Sequence, residues 1–177
     1  MKSGLIPATF AGPLTLLALL STAAGAQAPK VAPPPPEAST HHMNVKFEDV
    51  KWERIFPVLG ERSAEIAVLR VDPKTGATQL MIRVPNDFHV PKHWHSANET
   101  HTIVRGTFIL ECEGKREALG PGSFNYIPSK MVHEAWTRPD EGALLFITVD
   151  GAWDINWVGG PPKPTDLIDG LPAKAGS

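Results

Sequence analysis

The chain has 177 residues, of which 42% are hydrophobic and 20% charged, and its formal net charge is −2. A balance this close to neutral leaves no electrostatic footprint for nucleic acid or for an anionic lipid surface. The 18 prolines and 15 glycines stay below the share that marks a low-complexity chain, and most of them punctuate strands.

Residues 1–26 read as a signal peptide: Lys2 supplies a positive start, Ala11 to Leu20 a compact apolar run, and Ala24-Gly25-Ala26 the small residues of a cleavage site. The apolar run is shorter than the roughly 18–20 residues a membrane span needs. The expectation is cleavage before Gln27, no membrane attachment afterwards, and a periplasmic or secreted protein. No cysteine follows the apolar run, so a lipid anchor of the lipoprotein type is not expected. Residues 27–43 form a proline-rich linker that contains Pro33-Pro34-Pro35-Pro36. His41 and His42 at its end read as solvated side chains and are left out of any site.

Residues 44–158 fit one domain with one core, and residues 159–177 form a Pro/Gly-rich tail whose Leu167, Ile168 and Leu171 could dock on a neighbour. Within the domain, strand signals alternate with turn signals. Strands are expected over Ala64–Val71 and Ala77–Val84, on a segment ending near His95, and over Glu99–Arg105. Further strands are expected over Thr107–Cys112, Arg116–Leu119, Ser123–Ile127, His133–Thr137 and Ala143–Val149. No helical periodicity of useful length competes with them. Many short, evenly spaced strands predict an all-β sandwich or barrel in a single domain. Cys112 is the only cysteine, so no internal disulfide is available. Its alternation with Phe108 and Leu110 predicts a buried small apolar residue.

The chemistry gathers in His93-Trp94-His95-Ser96-Ala97-Asn98-Glu99 and, far downstream, His133. Two histidines at i and i+2 on an extended segment share one face of a strand. Glu99 follows as an oxygen donor, and a distant strand must supply the fourth ligand, His133. Imidazole plus carboxylate suits one divalent transition metal, Mn, Fe, Ni, Cu or Zn, with no thiolate preference. Each of these residues alone is more often an ordinary structural side chain; their combination points to a metal. If Glu99 faces inward, so do His101 and Ile103. His101 is therefore the candidate catalytic acid/base residue, against the plainer reading of a histidine satisfied by a carbonyl or water. His89 could share the face of His93, although Pro91 disturbs the register.

These residues resemble the cupin superfamily. One cupin motif, Gly-x5-His-x-His-x3-Glu-x6-Gly, is met by His93, His95, Glu99 and Gly106. The other, Gly-x5-Pro-x-Gly-x2-His-x3-Asn, is met by Gly122, Pro128 and His133. The departures are Asp87, Lys130 and Thr137, where the pattern has Gly, Gly and Asn; none of the three is a ligand in the family. With Asp150-Gly151-Ala152-Trp153-Asp154, the chain looks like secreted single-domain cupins of unassigned function. The resemblance implies a double-stranded β-helix, the cupin-type jelly-roll barrel, and a metalloenzyme acting on a small oxygenated organic molecule by dioxygenase-, decarboxylase- or isomerase-type chemistry. The alternative it leaves open is a non-catalytic module that binds metal or a small ligand for sensing or storage. Trp94 and Trp136 are expected together on the outer face, which suggests a homodimer or a cap formed by the segment around Trp52 or by the tail.

Overall fold

The computed structural model describes residues 42–164. The proposed signal peptide, nearly all of the linker and the tail beyond Pro164 lie outside the described residues. In chain order the strands are β1 (Glu53–Arg54), β2 (Glu65–Val71), β3 (Thr78–Val84), β4 (His89–Trp94), β5 (Glu99–Gly106), β6 (Phe108–Cys112), β7 (Lys115–Leu119), β8 (Phe124–Ile127), β9 (His133–Thr137), β10 (Ala143–Val149) and β11 (Asn156–Trp157). Two short 3₁₀ turns, Phe47–Asp49 and Pro57–Arg62, precede β2. The strands expected from alternation and turn residues are present to within a residue or two. The two-residue β1 and β11 are too short to show a period.

All strand pairs are antiparallel. One sheet runs β1-β2-β3-β10-β5-β8 and the other β11-β4-β9-β6-β7, the jelly-roll architecture that the sequence resemblance implied. The inward positions of both sheets meet in one core built on Leu80, Phe88, Ile103, Ile127, Leu145 and Ile147, each at most 2% exposed. Burial at this level is the main favourable term of the fold.

The two motif positions where glycine is replaced do need glycine-like backbone: Asp87 has φ 50° and Lys130 φ 64°. Asp87 donates its N–H to Arg138 O at 2.8 Å. At the third departure, Thr137 ties β9 to the turn before β4. Its hydroxyl donates to Pro85 O and accepts Phe88 N–H. Gly106 is required for a different reason, because a Cβ there would sit 1.9 Å from Gly142 O.

Strand alternation fails at one informative place. The β4–β9 register shifts between Val90 and His93, where Pro91 cannot donate to the ladder. His89 is therefore turned away from the face of His93; it contacts Glu134 at 3.0 Å and stacks on Trp136 at 4.9 Å. The guanidinium of Arg116 covers the same indole at 4.1 Å, which leaves Trp136 only 6% exposed. Trp94 lies elsewhere, opposite Asn156 on β11. The expected outer pair of tryptophans is thus absent, and Trp136 is capped by its own chain. Trp52 packs instead on Arg83 and Phe47. Cys112 also departs from expectation: it is half-buried at the end of β6, with its thiol raised above the ordinary value by burial.

Candidate metal centre

His93 and His133 face each other across the β4–β9 ladder as register partners. His95 lies one residue beyond β4, and Glu99 is the first residue of β5. One ring nitrogen from each of His93, His95 and His133 lies within 4.8 Å of the other two, and all three residues are buried. Glu99 is 1% exposed. Its Oε2 lies 3.0 Å from His95 Nε2 and 3.0 Å from His101 Nε2. The four residues expected as ligands therefore converge, with the three imidazoles as the tight set and the carboxylate set between His95 and His101.

The backbone decides which nitrogens are available. His93 Nδ1 donates to Pro91 O at 2.7 Å, His133 Nδ1 donates to Met131 O at 3.0 Å, and His95 Nδ1 donates to Asp154 O. A carbonyl only accepts, so each Nδ1 carries a proton, and the neutral forms of His93 and His133 present a bare lone pair at Nε2. These two nitrogens and that of His95, which faces the Glu99 carboxylate, share one buried volume that a cation would satisfy. Glu99 Oε2 makes no aligned hydrogen bond despite its two 3.0 Å neighbours. That is the arrangement of donors grouped about an ion. The donor set thus fits a divalent metal that the three histidines could hold, with Glu99 beside them.

The electrostatics agree with this. Burial, reinforced by the charges of His133 and His95, holds His93 well below the ordinary imidazole value. Burial likewise lowers His133 to about 4. Both are therefore neutral ligands at physiological pH. Burial also acts to lower His95, but the adjoining Glu99 carboxylate and the Asp154 carbonyl outweigh it and raise the group. Burial would raise Glu99; His101 and His95 overcome this and hold it well below the ordinary carboxylate value. Of the three imidazoles, His95 is therefore the one that holds its proton more tightly than usual, and a metal would compete with that proton.

Residues outside the motifs fix this geometry. Trp153 Nε1 donates to Glu99 Oε1 at 3.1 Å, which seats the carboxylate. The Asp154 carboxylate accepts from Ser96 N at 2.8 Å and from Ser96 Oγ, while Asp150 accepts from Asn98 N at 2.9 Å. Lys130 N donates to His95 O at 2.8 Å. The run Asp150–Asp154 therefore clamps the ligand loop 96–99. Spacing could not assign that role, because the two segments lie more than fifty positions apart.

The candidate ligands line a cavity of about 50 Å³. The rest of its wall is apolar, with Phe56, Ile82, Leu145, Ile147, Trp153 and Ile155 among the lining residues. His101 lines it too; the residue is 4% exposed and its Nδ1 is buried without a partner. Phe56 closes one side, packed 6.0 Å from Phe88 and 5.7 Å from Trp157, and Trp157 lies 5.3 Å from His93. Sequence reasoning missed Phe56 and Trp157, because neither shares a strand period with the ligands.

Comparison with known proteins supports the same architecture. The chain is similar to the polyketide cyclase RemF from Streptomyces resistomycificus, with 19% identity over 70% of this chain and 90% of that one, at a TM-score of 0.59. It is similar to an RmlC-like cupin from Shewanella frigidimarina NCIMB 400, with 19% identity over 63% and 93% of the chains, at 0.53. The Cnp3 cupin domain of Schizosaccharomyces pombe is similar at 10% identity over 61% and 73%, with a TM-score of 0.52. At these identities the likeness shows the fold alone. No curated protein matches the sequence. The profile of the ChrR cupin-like domain matches residues 40–151, more than half of the chain and all of the candidate ligands. The chain belongs to the ChrR cupin-like family of the cupin superfamily.

Proposed function

We propose that this chain is an exported metal-binding cupin whose centre acts on a small oxygenated organic molecule. The observation that carries this is the set of three imidazoles, each with Nδ1 committed to a backbone carbonyl, converging with Glu99 at the polar end of an otherwise apolar cavity. His93, His95, His133 and Glu99 would hold one divalent transition metal. When bound, the ion supplies a Lewis acid able to polarise a substrate oxygen. Phe56, Ile82, Leu145 and Ile147 would hold the apolar body of the molecule and exclude water. His101, with Nε2 3.0 Å from Glu99 and Nδ1 unpartnered, would hold or move a proton beside the substrate oxygen. Export rests on the signal-like residues 1–26 alone.

A second reading, a non-catalytic module for sensing or storage, is favoured by one observation. A site needs about 10–15 Å³ per water, so the cavity of about 50 Å³ admits only a few waters or one very small molecule while Phe56 is in place. Metal analysis of the native protein, then dioxygen-uptake and product assays on a panel of small carbonyl compounds, with and without Phe56→Ala, separates the readings. Turnover that rises in the Phe56→Ala protein supports the enzyme. A stoichiometric metal with no turnover in either form supports the binding module. Loss of metal in His93→Ala and His133→Ala, with the fold kept, ties the ion to this site; metal retained in both removes the basis of either reading.

A further inference from the structure

β8 is a terminal strand of its sheet, and its pattern of polarity is inverted. Phe124 and Tyr126 are 64% and 54% exposed, while Asn125 shares the inward side with Ile127, which is 2% exposed. Asparagine is disfavoured in strands, and an amide turned inward needs hydrogen-bond partners. Asn125 Oδ1 is buried and has none.

The strand register supplies a neighbour for it. Asn125 of β8 and Ile147 of β10 are the two cross-strand partners of His101. Side chains so placed lie on one face of the sheet, with Cβ atoms about 4.5–5.5 Å apart. Isoleucine has no polar atom to offer, so Asn125 is the partner able to bond the imidazole. His101 Nδ1 is likewise buried without a hydrogen bond, and Phe108 meets the ring edge-on at 5.6 Å. Leaving two such polar atoms unpaired is costly, and one bond between the side chains removes the deficit at His101. The amide torsion of asparagine is soft and roughly twofold, so half a turn exchanges Oδ1 for Nδ2–H.

We propose that Asn125 is a positioning residue, whose Nδ2–H donates to Nδ1 of His101 and so places the ring proton on Nε2, toward Glu99. The direction follows from charge. Nε2 lies 3.0 Å from Glu99 Oε2, and an ionised carboxylate only accepts. The proton therefore belongs on that nitrogen, and Nδ1 is left as the acceptor that the amide serves. His101 lines the cavity and Asn125 does not, so the amide reaches the site through the imidazole. The inference rests on His101 as the proton carrier of the proposed reaction, and it adds the group that sets which of its nitrogens carries the proton.

The test reads the ring nitrogens of His101 by nitrogen-15 NMR in the mature full-length protein at pH 8, before and after zinc is added. The Nε2–H form is expected to dominate in the parent. Asn125→Asp keeps the shape but replaces the donor with an acceptor, and should reverse the preference to Nδ1–H. Asn125→Leu removes the amide at similar volume and should shift the ratio about tenfold toward Nδ1–H, the order of one hydrogen bond. A parent dominated by Nδ1–H, or one ratio common to all three proteins, would overturn the proposal; the parent alone decides if a variant fails to fold. Because no substrate is present, the result is independent of turnover: a protein inactive on every carbonyl compound removes the reaction and leaves the tautomer as measured. Where turnover is found, Asn125→Leu should lower kcat with KM little changed, and an unaltered kcat would refute the positioning role.

Discussion

Replacing Trp153 by Phe removes one N–H from the buried Glu99 carboxylate and leaves most of the ring in place. Trp153 Nε1 donates to Oε1 at 3.1 Å, and Glu99 is 1% exposed, so water does not replace the lost donor. A hydrogen bond to a charged group contributes about 1.5–3 kcal/mol, so the metal-free protein should lose roughly 2 kcal/mol plus a packing loss on the order of 1 kcal/mol for the smaller ring. For a domain of this size that corresponds to a drop in melting temperature on the order of 10 °C. Metal affinity should fall about 10–100-fold, the usual effect of removing a group that orients a ligand. Thermal melts with and without chelator measure the first, and competition titration with a chromophoric chelator the second. A double-mutant cycle with Glu99→Gln separates the hydrogen bond from packing. With a neutral acceptor, Trp153→Phe should cost roughly 1 kcal/mol less. An equal cost in both backgrounds would show that Trp153 acts by packing alone, and the proposed seat for the carboxylate would be wrong.

Lys130→Gly relieves a left-handed backbone, φ 64°, worth about 1–2 kcal/mol, against about 0.5–1 kcal/mol for the greater freedom of glycine in the unfolded chain. A rise of a few degrees in melting temperature is expected, with metal affinity unchanged because the N–H to His95 O survives; a fall would contradict the reasoning. The metal-free protein should also lose stability as pH falls from about 6.5 to 4. His93 and His133 are held neutral in the fold but take up protons when unfolded, so their contribution is complete above 6.5 and lost on acidification. The lowering of His133 from 6.5 to about 4 is by itself on the order of 3 kcal/mol. Glu99, held well below the ordinary carboxylate value, adds stability that is lost at still lower pH. His95, raised by Glu99, works in the opposite direction but is one group against two. Melts of the chelator-treated protein at pH 7.5, 6, 5 and 4 should show the decline, and a flat series would refute it. Apparent metal affinity should likewise rise with pH, because the ion competes with a proton that Glu99 helps His95 to hold; titrations at pH 6 and pH 8 with equal affinity would count against that.

Much of this centre was legible in the chain because its information is local. His93, His95 and Glu99 fall within seven positions, and strand alternation sets their direction once the segment is extended. His133 was found at a distance because the turn residues before it have a recognisable spacing. The strands themselves were readable because period-two burial leaves a period-two pattern of apolar residues. Alternation does not settle the facing of His89, since one irregularity at Pro91 reverses everything before it.

Tertiary structure decided what depends on contacts between distant segments. No spacing rule connects Trp153 or Asp154 to the loop they hold, because their partners are chosen by where β10 and β11 bring the chain back. The tautomers of the ligand histidines are set by carbonyls of Pro91, Met131 and Asp154, and a carbonyl leaves no trace in the side-chain sequence. Phe56 reaches the cavity wall from a segment outside both motifs. Edge strands, too, are a property of sheet order rather than of any one segment. Residue types and their spacing fixed which atoms could bind an ion, and packing fixed how those atoms are aimed, protonated and enclosed.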